Sequence, residues 1–219
     1  MDERLSRLLK EIAAEARSTA AHTGIAAFSP RVMAALGAVP RHAFVPEEER
    51  VSAYLDEPLP IGHGQTISQP YIVALMTDLL ELKPGDRVLE VGAGSGYQAA
   101  VLAQLAKSVH TVEIVPELAR ACRERLARLG FANVTVHEGD GAAGLAAEAP
   151  FDAILVAAAA RRVPRALVAQ LKPGGRLAVP LGEPGATQQL VVVAKDARGK
   201  VSARPVLPVR FVPLTGKFN

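Results

Sequence analysis

Val88-Leu89-Glu90-Val91-Gly92-Ala93-Gly94-Ser95-Gly96-Tyr97 is the stretch that most narrows what this chain can fold into. A short apolar run carrying one acid gives way to three glycines alternating with small residues, and a helical pattern follows. The pattern predicts a buried strand that runs into a tight turn and opens a helix. Glycines let the backbone turn sharply there and let a ligand approach without meeting a Cβ atom. The helix start beyond the turn offers unpaired N–H groups.

The elements that follow set this turn in a parallel sheet. Strands are expected at Arg87–Val91, Val109–Glu113, Val134–His137, Ala153–Ala157 and Arg176–Pro180. Helices are expected between them at Tyr97–Ala106, at Pro116–Leu129 (closed by Gly130) and from Pro164 to Leu171, with a weakly helical Gly/Ala-rich segment before Ala153. Strands alternating with crossover helices make a parallel sheet covered on both faces. Gln189–Lys195 and Lys200–Leu207, joined by Asp196-Ala197-Arg198-Gly199, read as a terminal β-hairpin. The expected fold is therefore α/β, a doubly wound, mostly parallel sheet ending in an antiparallel hairpin.

Upstream lies a helical extension. Leu5, Leu8, Leu9, Ile12 and Ala16 have the spacing of an amphipathic helix. Ser29-Pro30 starts a second helix that carries Val32, Met33 and Leu36 and ends at Gly37. From Tyr54 to Pro70 there is punctuation and little periodicity, so a long loop is expected, of the functional kind given Ile61 and Ile67. Tyr71–Leu82 is apolar on most faces and reads as a buried helix. Residues 1–82 are thus expected to form a helical and substrate-loop region packed on a core of residues 83–219.

Composition bounds the function. With 49% hydrophobic and 21% charged residues in 219, the chain is an ordinary soluble globular protein with one substantial core. It has no uncharged run of the ~20 residues a membrane span needs. Met1-Asp2-Glu3-Arg4 has no apolar region of the kind that marks secretion. The single cysteine, Cys122, excludes an internal disulfide and a cysteine-rich metal site, and its helical register with Leu118 and Leu126 makes it core filler. A reducing, cytoplasmic compartment is expected. The 25 basic and 22 acidic residues are interspersed, and Glu117 and Glu124 lie among Arg120, Arg123, Arg125 and Arg128 at helical spacing. That pattern is a solvated helix face, so neither nucleic acid nor membrane is expected as a partner, and the chain is expected to be a monomer.

Three ligands compete for the glycine turn. A phosphate-cradling loop needs Lys and then Ser or Thr after its last glycine, and none follows Gly96. The dinucleotide fingerprint needs its third glycine five positions after the first, where Tyr97 stands, which weakens that reading. S-adenosylmethionine has a charged amino-acid end, a ribose and an adenine. Glu90 suits the ammonium, Glu113 at the end of the next strand suits ribose hydroxyls, and Asp140 in Glu138-Gly139-Asp140-Gly141 suits the adenine amino group. Each acid alone reads more readily as a helix cap or loop carboxylate. Together they line the carboxyl edge of a parallel sheet, where ligands bind. The joint pattern resembles that of the class I methyltransferases, with Gly92, Ala93, Gly94, Ser95, Gly96 and Gly141 completing the cofactor site.

After the fourth strand, amine-methylating members of that class often carry Asp or Asn, two prolines and an aromatic residue. Here Ala157-Ala158-Ala159-Ala160 offers no polar group. That suits an acceptor already ionised at neutral pH, such as a carboxylate. Ile61-Gly62-His63-Gly64-Gln65-Thr66-Ile67-Ser68-Gln69-Pro70 resembles the signature of the protein-L-isoaspartate O-methyltransferases. The resemblance runs over nearly the whole chain, through Val39–His42 with Phe44–Pro46, Val88–Gln98, Gly139–Gly141, Ala149–Asp152, Gln170-Leu171 with Gly174-Gly175, and Arg210–Leu214. The four-alanine run and Ala93 depart from it, since many relatives carry threonine there.

The resemblance implies a repair enzyme that methylates the free α-carboxylate of L-isoaspartyl and D-aspartyl residues in damaged proteins and peptides, with S-adenosyl-L-homocysteine as product. The ester then collapses to a succinimide. It implies Ser68 as the active-site residue, with Thr66 as a second candidate and Ile61, Gly64, Gln65 and Ile67 as substrate contacts. On chemical grounds Ser68 is an orienter: its hydroxyl donates to one carboxylate oxygen and leaves the other aimed at the methyl. Without the resemblance, Ser68 reads as a cap for the helix near Pro70. No base is required, so His42 and His63 are structural or substrate-loop residues, and the five histidines show no metal-ligand spacing. Arg161, Arg162 and Arg165 near the mouth solvate a loop. The rival reading is a class I methyltransferase acting on a small-molecule carboxylate or on RNA.

Overall fold

The structure is a computed structural model and describes residues 3–217; Met1 and Asp2, read above for a leader, lie outside that range. The chain opens with α1 (Glu3–Thr23), which buries Leu8, Ile12 and Ala16, and α2 (Pro30–Ala38), where the Ser29 hydroxyl accepts the Val32 N–H as the expected cap. Gly37 lies inside α2, one residue before its end. Then β1 (Leu59–Gly62) and β2 (Gln65–Ile67) pair antiparallel, so the expected loop holds a small hairpin. Its reversal uses three successive left-handed residues, Gly62, His63 and Gly64, with φ of 87°, 51° and 68°. α3 (Pro70–Leu79) follows and is buried on nearly every face. It stops three residues short of the expected Leu82 because Glu81 turns left-handed at φ 51°, where Arg176 pairs with its carboxylate at 2.7 Å.

From β3 (Arg87–Val91) onward the alternation holds: α4 (Tyr97–Ala103), β4 (Ser108–Glu113), α5 (Pro116–Arg128), β5 (Val134–Glu138), β6 (Phe151–Val156), α6 (Arg165–Gln170), β7 (Leu171–Leu181), β8 (Gln188–Lys195) and β9 (Val201–Val209). The sheet order is β5-β4-β3-β6-β7-β8-β9. The first five of these strands are parallel, and β8 and β9 fold back antiparallel as the expected hairpin. Pro205 and Pro208 fall on β9, the edge strand, the place in a sheet where proline is best tolerated. The Gly/Ala-rich segment before β6 holds two 3-10 turns, Gly141–Ala143 and Ala146–Glu148. β7 starts five residues before the expected Arg176, bulging against β6 between Phe151 and Ala153.

Successive β3 residues face opposite cores. Val88 joins the cluster that holds α1, α2, α3 and α4, while Leu89 and Val91 join the cluster under α6. Each fully buried Leu or Val contributes about 1.5–3 kcal/mol relative to exposure. One apolar cluster therefore binds the N-terminal helices to the sheet face behind the glycine turn. Among the described residues, no helix is long and apolar enough to cross a membrane.

Candidate active site

Backbone conformation makes the floor of the site. Gly92, Gly94 and Gly96 all have positive φ, and Gly92 N–H donates to the Val112 carbonyl at 2.8 Å, pinning the turn to β4. At Gly96 (φ 88°, the N-cap of α4) an added Cβ would lie 2.8 Å from the Cys122 sulfur on α5. That glycine serves close packing. Gly94 faces the other way: a Cβ there would meet Ile61 Cδ1 at 3.3 Å, so β1 crosses over the turn.

The acids after the strands divide their labour. Glu113 accepts the Gly94 N–H at 2.8 Å through Oε2 and the Val115 N–H at 3.0 Å through Oε1, so it braces the turn it was expected to serve. Glu90 is fully buried; Thr111 donates to its Oε2, and its Oε1 has no partner. Burial pushes the Glu90 carboxyl up to about 8, aided by the charge of Glu113 and opposed by the Thr111 hydroxyl. Asp140 caps the 3-10 turn by accepting the Ala142 N–H at 3.0 Å, and its other oxygen accepts the Lys217 N–H at 2.7 Å. It thereby ties down the C-terminal tail.

A cleft encloses about 760 Å³ above the turn, its open mouth included. Glu90–Ser95, Val112–Val115 and Gly141 form one wall, and Gln65–Ser68 with Val212–Thr215 form the other. A second cleft of about 1000 Å³, the open solvent at its mouth included, adjoins it, bounded by Glu15, Gln69, Tyr71, Ile72 and Leu207–Val212. Thr66, Ser68, Ala157 and Val212 line both. Among the site residues expected from sequence, Gly96 and Asp140 line neither cleft and support the first from behind. Ile61 and Gly64 also line neither.

Ser68 is half-buried just before α3. The cap position falls to Gln69, which makes no side-chain bond to the helix. Asp56 performs that task instead, accepting the Tyr71 N–H at 2.8 Å. The capping role read for Ser68 is therefore taken by a residue fifteen positions from the helix's second residue.

A family model described as "Protein-L-isoaspartate(D-aspartate) O-methyltransferase (PCMT)" matches residues 18–219. The chain belongs to this protein-L-isoaspartate(D-aspartate) O-methyltransferase family. Protein-L-isoaspartate O-methyltransferase 1 of Cupriavidus necator is 57% identical over 210 residues, covering 96% of this chain and 81% of the relative. Protein-L-isoaspartate O-methyltransferase 2 of Polaromonas sp. is 56% identical over 210 residues, covering 96% and 100%. A solved protein-L-isoaspartate O-methyltransferase superposes with a TM-score of 0.85 at 28% identity, over 98% of this chain and 67% of that one. A Plasmodium falciparum structure described as a beta-aspartate methyltransferase, in complex with S-adenosyl-L-homocysteine, gives 0.77 at 27%, over 95% and 97%.

The four-alanine run has a role in this methyltransferase that sequence reading missed. Ala159 N–H donates to the Val212 carbonyl and Leu214 N–H to the Ala159 carbonyl, both at 2.8 Å. With no side chain beyond Cβ, the run lets the tail lie against the sheet end, where Val212–Thr215 wall the first cleft. Arg125, read as part of a solvated face, donates to the Ser95 carbonyl at 2.8 Å and holds the turn, while Arg123 donates to the Val136 carbonyl at 3.2 Å. Cys122 is buried as expected, and burial pushes its thiol up to about 12, which leaves it inert. His42 bonds the Tyr54 hydroxyl at 2.7 Å, and His63 sits exposed in the β1–β2 reversal.

Proposed function

We infer that this member of the family is a protein repair methyltransferase, transferring the methyl group of S-adenosylmethionine to the free α-carboxylate of L-isoaspartyl, and of D-aspartyl, residues in damaged proteins and peptides. The observation that carries the reading is the position of Ser68, on the wall common to a cleft over the glycine turn and a second cleft that adjoins it.

The first cleft suits the cofactor. Glu90 Oε1, buried without a partner, is an acceptor awaiting a donor such as the methionine ammonium. Glu113 keeps lone pairs beyond those used by Gly94 and Val115, enough for ribose hydroxyls. Gly92, Ala93, Gly94, Ser95 and Gly141 present close-approaching wall, with Gly96 and Asp140 holding the site's shape. When bound, S-adenosylmethionine supplies an electrophilic methyl on a sulfonium centre.

The chain's own residues have little proton chemistry to perform, because the acceptor carboxylate is ionised at neutral pH. The Ser68 hydroxyl, with Thr66 beside it, donates to one carboxylate oxygen and fixes the other toward the first cleft. Ile67 is buried beneath them, while Ile61, Gly64 and Gln65 belong to the hairpin that covers the turn. The segment Gln65–Ser68 thus reaches both sides, while the glycine turn supplies the floor of the cofactor cleft and the chain from Leu207 to Val212 closes the acceptor cleft. We place the enzyme in the cytoplasm as a monomer acting on protein alone, a reading supported by its one buried thiol and interspersed charges.

Methyl-labelled S-adenosylmethionine, offered with an isoaspartyl peptide and with the same peptide containing ordinary aspartate, tests the reading. Base-labile label should enter only the first; equal or absent labelling overturns it. Ser68→Ala should slow turnover ~10–100-fold, the value of a hydrogen bond to a charged group, with cofactor affinity unchanged.

A further inference from the structure

Behind Ser68 lies a cluster that the transfer chemistry does not use. Gln69 Nε2 donates to Glu15 Oε2 at 3.4 Å and to Asp56 Oδ2 at 3.3 Å. The two carboxyl groups themselves stand within hydrogen-bonding reach, on α1 and on the loop before β1. Asp56 also accepts the Tyr71 N–H that opens α3. One amide side chain, immediately after Ser68, therefore joins two acids that converge from distant parts of the chain.

We propose that Glu15 is a positioning residue of the acceptor cleft: while neutral it shares its proton with Asp56 and, through Gln69, fixes the segment that presents Ser68. The proposal rests on the repair-methyltransferase reading and adds a built-in sensitivity to pH. Ionising Glu15 removes the hydrogen bond it makes to Asp56 and sets two carboxylates against each other, which pushes apart the two groups that the Gln69 amide bridges. The groups facing Glu15 account for where the proton sits. From the loop there are Asp56 and Gln69, and from α3 the Tyr71 hydroxyl, itself bonded to Thr19 at 2.6 Å. Arg210 reaches the same cleft from the tail. Arg41, buried with its Nε and Nη1 lacking hydrogen-bond partners, lies close enough to Asp56 for their charges to attract. Burial and the neighbouring Asp56 push the Glu15 carboxyl up to about 7, with the Gln69 amide opposing.

The ratio of kcat for Glu15→Gln to kcat for wild type, measured with an isoaspartyl peptide from pH 6 to pH 8, reads the effect. Glutamine keeps a donor for Asp56 and an acceptor for Gln69 but cannot ionise. Around a midpoint near 7 the neutral fraction of Glu15 falls about tenfold over that range, so the ratio should rise about tenfold. Ionisations elsewhere, Glu90 and the cofactor amine included, cancel in the ratio. A ratio constant within about twofold overturns the proposal. A second measurement needs no Glu15 variant. Carbon-13 carboxyl titration of the wild-type protein should reveal a glutamate with a near-neutral midpoint that moves lower in Asp56→Asn, and its absence overturns the proposal too. A flat ratio with isoaspartyl-specific labelling intact refutes only the role of Glu15, whereas no specific labelling at any pH refutes the functional reading with it.

Discussion

The cofactor cleft takes its floor from one continuous stretch, Glu90–Ser95, whereas the acceptor cleft draws its walls from α1, β2, α3, the residue after β6, β9 and the tail beyond it. The first is held by main-chain geometry: positive φ at three glycines, Gly92 N–H on Val112, and Gly94 N–H on Glu113. The second is held by side chains that meet across the chain, such as Gln69 with Glu15 and Asp56. A ligand shared by many enzymes can be gripped by one local turn, while a peptide acceptor needs a surface only the assembled fold provides. Damage to the main-chain geometry of the first cleft should therefore cost fold and cofactor together. Damage to the second should cost turnover alone.

Gly96→Ala breaks the comparison hardest. Its Cβ would meet Cys122 at 2.8 Å in a left-handed conformation, combining backbone strain with overpacking, together about 2–5 kcal/mol. We expect a melting temperature lower by roughly 5–15 °C and cofactor affinity lower by more than about tenfold by calorimetry. Adding Cys122→Ala should restore part of both losses. If Gly96→Ala melts normally and binds normally, close packing is not what this glycine serves.

Glu90→Gln separates the cleft's function from its stability cost. A carboxyl raised from 4.5 to about 8 binds its proton more tightly in the folded than in the unfolded chain. Stability without cofactor is therefore greatest below about 4.5 and falls as the pH rises toward 8. Glutamine removes that slope. The ligand-free variant should melt higher than wild type at pH 8, by a gain on the order of 2–4 kcal/mol, and by far less at pH 5. Its cofactor affinity should fall ~10–100-fold for want of a charged acceptor. Equal stability slopes with pH in the two proteins would refute the buried-acid assignment.

The same contrast governs what the sequence could disclose. Strand periodicity, the glycine spacing and the acids Glu90, Glu113 and Asp140 are local signals, so β3, β4 and α5 lie within a residue of expectation. The β1–β2 hairpin escaped because Leu59–Gly62 and Gln65–Ile67 are too short to show alternation, and His63 hides one of its left-handed turn positions. Asp56 as the cap of α3 and Glu15 as partner of Gln69 left no trace, since capping and pairing rules look three or four residues along a chain. The tail wall at Val212–Thr215 rests on small residues at Ala157–Ala160, which in sequence looked only like a missing polar motif. Ser68 itself was reached through resemblance, because a hydroxyl ahead of Gln-Pro also reads as a helix cap.

The smallest expected effect marks where the acceptor cleft ends. Arg161 and Glu183 pair at 2.8 Å, but their side chains are 60% and 65% exposed. Such a pair is screened by salt and contributes little to stability. Arg161, Arg162 and Arg165 line neither cleft. Arg161→Ala should therefore change KM for a neutral isoaspartyl peptide by less than about twofold and the melting temperature by under about 1 °C at physiological salt. An acidic isoaspartyl peptide sharpens the measurement, because any field from this arginine group would appear as a KM penalty that grows as salt is lowered. A rise above about fivefold for the acidic peptide alone would carry the acceptor surface past Val212 to the loop after β6. A uniform result would leave it bounded by α1, α3 and the tail.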